Sequence, residues 1–340
     1  MALDIAARLV RYADLRPCTN AFVDTRSPGS DRKENFTIIG PGVSENPQQY
    51  VHIPEPHGFN IGAARQPPRC LNSQHSHETA EVFIVHTGRW RFMWGVDARD
   101  GAVEMGPGDV ISLPTRMFRG FENIGTEPGF LFAVLGGDDP GKVTWAPQVF
   151  ALAEKYGLVL LEGGRLIDTT VGETVPAGAR LQRPPSEAEI AALASPPASK
   201  MALGVVTAAE ITPFARSPLA GPGVAECPII VPRSTEDGFP PGPITGWWPH
   251  GFNLRLLRLA SGSAVPAHRR GEVEVLLMQR GTLAVTVDGA EIVLGAGDVF
   301  STPKGALRSF RATSSDGPEV YVVRGGDAAG AVTFADRRAA

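Results

Sequence analysis

The sequence repeats itself at long range, and in one order. Pro56-His-Gly-Phe-Asn60 recurs as Pro249-His-Gly-Phe-Asn253, and Glu81-Val-Phe-Ile-Val-His-Thr-Gly88 aligns with Glu274-Val-Leu-Leu-Met-Gln-Arg-Gly281. Gly106-Pro-Gly-Asp-Val110 aligns with Gly295-Ala-Gly-Asp-Val299, and each is followed by a proline (Pro114, Pro303) and, five residues on, an arginine (Arg119, Arg308). Gly136-Gly-Asp138 and Val143-Thr-Trp145 then match Gly325-Gly-Asp327 and Val332-Thr-Phe334. A weaker match sets Phe36-Thr-Ile-Ile39 against Cys227-Pro-Ile-Ile230. Colinear matches of this kind are hard to obtain by chance, so the chain is expected to fold one unit twice. The expected domains are 1–146 and 201–340, joined by a connector at 147–200. The repeat is too long for a solenoid module.

The unit reads as β-structure. Leu131-Phe-Ala-Val-Leu135, Leu254-Arg-Leu-Leu-Arg258 and Val320-Tyr-Val-Val323 are short strand candidates. Val285-Thr-Val-Asp-Gly-Ala-Glu-Ile-Val293 reads as a hairpin turning at Asp288-Gly289, because that dipeptide supplies the positive φ angles of a tight turn. The 39 Gly and 30 Pro, without a collagen-like period, argue for many turns between short strands. Closing each set of strands into a barrel or double-sheet jelly roll protects strand edges, so the predicted class is all-β, with two such domains. The connector departs from this pattern. Residues 147–157 read as a short helix with Pro147 at its start and Gly157 after its end. Residues 185–194 read as a second, with Ser186 as cap and Glu187 and Glu189 in its first turn. Its apolar content predicts a packed segment rather than a free tether.

Chemistry concentrates in Gln74-His-Ser-His-Glu-Thr-Ala-Glu81. His75, His77 and Glu81 share parity, so one extended segment is expected to point two imidazoles and a carboxylate into one cavity. That donor set suits a divalent transition metal with exchangeable positions. Phe83 and Val85 share the parity and are expected to form an apolar pocket wall. Trp90, Phe92 and Trp94 alternate on one strand face, as pocket lining or as core. His86 has the opposite parity and is expected to pack away from the site. His57 and His250 sit in the duplicated His-Gly-Phe-Asn, which argues for a structural role. Trp247 and Trp248 are expected to close one barrel end.

Both halves resemble cupin domains, and the whole resembles a bicupin. Residues 75–88 fit the family's first motif, a His-x-His followed by Glu and then Gly. The segment Gly108-Asp-Val-Ile-Ser-Leu-Pro114 leading to Arg119 and Asn123 corresponds to the second. Where metal-binding cupins place a third histidine, this chain has Arg119, whose guanidinium has no lone pair to donate. The resemblance implies a three-ligand site in copy one. Fe(II) is the first choice there, with Mn, Zn, Ni or Cu as alternatives. Among bicupins the first resemblance drawn is to ring-cleaving dioxygenases, which implies an oxidoreductase acting on a small phenolic or carboxylated, possibly anionic aromatic, substrate. In that reading Arg119 positions substrate charge and Asn123 orients a metal-proximal group. The rival role for Arg119 is to neutralise Glu81. The alternative functions are an isomerase, epimerase or lyase acting on a polar metabolite, and a non-catalytic small-molecule binder. In copy two the corresponding residues are His268, Arg270, Glu274 and Arg308, a degenerate site expected to hold no metal. Its residues pair among themselves, form an acidic-ligand pocket or contact the other half.

The remaining features exclude more than they assign. A formal net charge of -4 with no basic run gives no support for nucleic-acid binding. The scattered Cys18, Cys70 and Cys227 form no disulfide framework, and no long apolar run or signal peptide stands out, so a cytoplasmic, non-membrane protein is expected. Cupins that pair barrels make a homodimer one expected assembly.

Overall fold

The computed structural model describes residues 4–231, 241–244, 248–327 and 330–335. Two compact units divide the chain, and they do not coincide with the halves of the repeat. One contains Arg16–Thr207, so the expected connector belongs to it, and the other combines Ala208–Thr245 and Pro249–Ala340 with Met1–Leu15.

In the N-terminal unit a seven-stranded sheet runs in the order 205–206, 110–113, 81–87, 129–136, 59–66, 34–39, 51–53. A five-stranded sheet runs 144–145, 71–76, 119–123, 90–94, 101–105. Pairing is antiparallel except between Glu34–Ile39 and Val51–Ile53. Residues of alternate parity from both sheets fill the space between them: Phe83, Val85, Trp90, Phe92, Trp94, Phe121, Leu131 and Leu135 form one buried cluster. This is a jelly-roll barrel. The helix Pro147–Lys155, with proline in its first turn, and the strands Leu158–Leu160 and Leu166–Asp168 build a second cluster on Trp145 and Phe118. The helix Glu187–Ala191 carries the expected cap: Ser186 accepts from the Glu189 amide, while Glu189 accepts from the Ser186 amide.

The second unit repeats the plan. Its six-stranded sheet runs 9–10, 299–302, 274–280, 319–325, 252–259, 224–230, and its five-stranded sheet 290–294, 283–287, 308–312, 264–269, 333–334. The hairpin turns where the sequence placed it, with Val287 opposite Ala290 and positive φ at Asp288 and Gly289. Strand 9–10 pairs with 299–300, and Arg11 and the Tyr12 amide bind the Asp298 carboxylate.

The duplicated motifs turn out to be one clasp, present twice. The Gly58 amide donates to Asp138 and the Gly251 amide to Asp327, at 2.6 and 2.9 Å. Asn60 and Asn253 donate to the carbonyls of Gly137 and Gly326. His57 and His250 stack edge-on against Phe59 and Phe252. Trp247 lies outside the described residues, whereas Trp248 is buried. Among the described residues no helix is long and apolar enough to cross a membrane.

Candidate metal centre

His75, His77 and Glu81 converge, by a route different from the one parity suggested. The strand Leu71–Ser76 belongs to the five-stranded sheet and Glu81–Thr87 to the seven-stranded one. Residues 77–80 form the corner between them, so two sheets and the corner bring the groups together. One ligand atom from each residue lies within 4.8 Å of the others. All three side chains are buried.

His75 and Glu81 are held by hydrogen bonds to their neighbours. His75 Nδ1 lies 2.7 Å from the Ser73 carbonyl, so Nδ1 carries the proton and Nε2 keeps its lone pair. His77 Nε2 lies 3.7 Å from Glu81 Oε1. The other carboxylate oxygen, Oε2, accepts from Arg119 Nη2 at 2.8 Å and Nε at 3.2 Å. Burial, then the Arg119 charge, pushes His75 down to about 3 and His77 well below the usual histidine range. Both imidazoles are therefore neutral and able to donate. Burial also raises Glu81, against the opposing pull of Arg119.

The three groups form part of the wall of a cavity of about 70 Å³. Phe22, Phe36, Phe83, Phe121, Leu135 and Trp145 supply its apolar surface. Gly62, Ala63 and Ala64 on one strand keep its floor open. Among its polar lining groups, Asn35 Nδ2 and Gln49 Oε1 are buried without hydrogen-bond partners among the described residues. Sequence reasoning missed both. Only the internal alignment, which places Asn35 opposite Glu226, marks the first.

Several expectations change. Arg119 does not line the cavity: it stands behind Glu81, with Nη1 donating to the Met117 carbonyl at 3.2 Å. Its guanidinium donates to the Glu81 carboxylate, the contact that the rival reading expects. Asn123 donates to the carbonyls of Gln66 and Glu127 and accepts from the Gly125 amide, so it ties down a loop. Phe83 lines the cavity as well as joining the core cluster, whereas Val85, one turn of the pleat further, packs in that cluster and is not part of the cavity lining. Trp90, Phe92 and Trp94 are core, with Trp90 and Trp94 donating to the carbonyls of Thr87 and Pro196. His86 packs against Phe130 and Phe132, facing away as expected.

In the second barrel His268 pairs across strands with Arg308, and Glu274 with Thr302 and Arg324. Arg270 stands where copy one has His77, so the three-donor set is broken there.

A cupin-domain family model matches residues 64–135 and again 255–324. Among curated proteins none matches the sequence. Solved structures match across both units. Oxalate decarboxylase from Lactobacillus farciminis, in a formate complex, is similar with a TM-score of 0.58 at 12% identity, over 96% of this chain and 88% of that one. The Bacillus subtilis oxalate decarboxylase at pH 4.6 gives 0.56 at 12%, over 96% and 78%. AerE from Microcystis aeruginosa gives 0.50 at 11%, over 94% and 98%. With the domain matched once in each half, and each half folded as a jelly roll, the chain belongs to the cupin family as a bicupin.

Proposed function

We propose that the chain is a metal-dependent enzyme whose N-terminal barrel acts on a small carboxylate-bearing substrate. The observation carrying this reading is the convergence of two neutral imidazoles and one carboxylate, within 4.8 Å, on the wall of a mainly apolar cavity. The residues fit a divalent cation: His75 Nε2 is the free lone pair of a fixed tautomer, and Glu81 leaves Oε1 unclaimed by Arg119. His75, His77 and Glu81 would hold the ion, with Fe(II) the first choice and Mn, Zn, Ni or Cu compatible with the same donors. When bound, it supplies Lewis acidity toward a substrate oxygen and a site for exchangeable ligands.

The remaining work falls to the chain. Arg119 fixes the carboxylate and balances its charge. The Ser73 carbonyl fixes the His75 ring. Phe22, Phe36, Phe83 and Trp145 exclude bulk water, which strengthens every polar contact inside. Asn35 Nδ2 and Gln49 Oε1 offer one donor and one acceptor to orient a polar substrate.

Two reactions suit such a site. Oxidative cleavage of a phenolic or carboxylated substrate is the dioxygenase reading. Carbon–carbon cleavage of a small acid is the lyase reading. Cavity size favours the second: roughly 10–15 Å³ admits one water, so about 70 Å³ suits an acid of a few heavy atoms. Solved relatives named as oxalate decarboxylases, one with formate, point the same way.

The test begins with elemental analysis of purified, untagged protein. Wild type and His268→Ala are expected to retain metal, and His75→Ala and His77→Ala to lose it. Equal retention in all four overturns the site. Activity is then followed with oxalate and a panel of phenolic acids. Oxygen uptake matching substrate loss identifies a dioxygenase, and carbon dioxide release without net oxygen uptake identifies a lyase. A metal-loaded protein inactive on every acid overturns the enzyme reading.

A further inference from the structure

The cavity of the N-terminal barrel carries charge in one place only. Among the described residues that line it, Glu81 is the one carboxylate, and there is no lysine or arginine. The buried cations nearby are engaged elsewhere: Arg119 donates to Glu81, while Lys33 pairs with Asp24 and donates to Asn72 Oδ1 at 2.8 Å. A second carboxylate on a bound substrate, away from the donor triad, would be buried with no cation to meet it, which is costly. The neutral polar lining lies on another strand. Glu34–Ile39 stands three places from Glu81–Thr87 in the seven-stranded sheet. Across the strands between, Thr37 is paired with Gly62, Gly62 with Ala133 and Ala133 with Phe83. That row therefore carries nothing larger than a methyl group between Thr37 and Phe83. Copy two builds the corresponding place differently. Arg255 corresponds to Gly62 and Glu226 to Asn35, and the two form an ion pair at 3.2 Å. Copy one has a hydrogen atom in place of that guanidinium side chain and a neutral amide in place of that acid.

Two amides on this face carry unmet hydrogen-bonding groups. Asn35 is 8% exposed, and its backbone exchanges two hydrogen bonds with Cys18, which fixes the residue. Its side-chain Nδ2 is a buried donor with no partner among the described residues. Gln49 Nε2 donates to Thr37 Oγ1, which leaves Gln49 Oε1 as a buried acceptor, also without a partner there. Thr37 lies two residues from Asn35 on one strand, so this bond holds Gln49 over the strand face that Asn35 shares. Buried polar groups are costly to leave unmade. A carboxylate only accepts: it would meet the Asn35 donor but set oxygen against oxygen at Gln49. A carboxamide or a hydroxyl both donates and accepts, so it satisfies both residues.

We propose that Asn35 and Gln49 set the specificity of this cavity: its substrate is a small monocarboxylate whose other end is a neutral carboxamide or hydroxyl, and a dicarboxylate is selected against. The inference rests on the reading of the cavity as the substrate site of a metal-dependent enzyme. It is tested by titration calorimetry of the full-length, metal-loaded chain at constant ionic strength, with metal content measured on the same sample. The probes are matched in length: malonamate, 3-hydroxypropionate and malonate, then succinamate, 4-hydroxybutyrate and succinate. The tightest ligand is expected to be an amide or a hydroxy acid, about tenfold tighter than the diacid of its length, which leaves a charge unpaired. Asn35→Leu and Gln49→Met keep side-chain size and remove the donor and the acceptor. Both variants are expected to retain metal and to lose most of that preference. If neither variant folds, the ranking in the wild-type chain decides. A diacid as the tightest ligand, no binding of any of these acids, or a preference unchanged in both variants overturns the proposal while a metal-loaded chain leaves the metal site standing. A chain that retains no metal overturns the metal reading, and this proposal with it.

Discussion

Arg119 shows how one substitution changes what a site needs. It offers no lone pair to a metal and places a guanidinium on one oxygen of Glu81. Replacing it with leucine leaves a buried carboxylate without its partner. The N-terminal unit is then expected to lose about 3–5 kcal/mol. Added divalent metal should recover part of that loss, because a cation can meet the orphaned carboxylate, and urea unfolding with and without chelator checks this. Glu45 makes a second residue-level case. Burial, the dominant cause, raises it to about 8, although Trp145 Nε1 and the Val23 amide both donate to it. A carboxyl group whose pKa is higher folded than unfolded binds more protons when folded. Its stabilising contribution is therefore full below about 4.5 and is lost as pH rises through about 8. Unfolding of the N-terminal unit at pH 5 and pH 8.5 should differ by a few kcal/mol, since each tenfold change in an acid dissociation constant on folding is worth on the order of 1.4 kcal/mol. Glu45→Gln, which cannot ionise, should flatten that difference.

At the level of elements, the clearest expectation concerns two glycines with similar backbone angles and different surroundings. Gly58 and Gly88 have φ of 78° and 88°. A methyl group on Gly58 meets nothing, whereas one on Gly88 falls 2.7 Å from Gly129 Cα. Gly58→Ala should cost about 1 kcal/mol from backbone strain alone. Gly88→Ala should cost about 2–3 kcal/mol or more, since the neighbouring strand must move. Thermal unfolding of the two variants separates strain from clash. The strands, the Asp288-Gly289 hairpin and both connector helices are legible in sequence because their signals are local: alternation, turn dipeptides, caps. The duplication also exposes the clasp residues, though not their contacts. The triad His75, His77 and Glu81 is legible too, but for the wrong reason. Parity within one strand cannot reveal that the chain changes sheets at residues 77–80. Nor can it show that, of two residues in the same core cluster, Phe83 reaches the cavity and Val85 does not. The hydrogen bonds of Arg119 and Asn123 reach partners 38 and 57 residues away, Glu81 and Gln66; the motif suggests the first pairing, and nothing in the sequence marks the second.

For the molecule as a whole, the duplication predicts two domains but not how the chain is divided between them. Strand 9–10 completes one edge of the C-terminal barrel, and strand 205–206, from the start of the second repeat, completes one edge of the N-terminal barrel. Deleting residues 1–15 should therefore weaken the C-terminal barrel, with faster amide exchange at 299–302, while the amides of 81–87 keep their protection. The opposite result would assign the segment to the wrong unit. The same arrangement constrains biogenesis. Strand 9–10 leaves the ribosome nearly three hundred residues ahead of its partner, so for most of translation its hydrogen-bonding edge stays unmatched. Severing the gene at the midpoint of the repeat would consequently give two fragments, each missing a border strand that the other fragment carries.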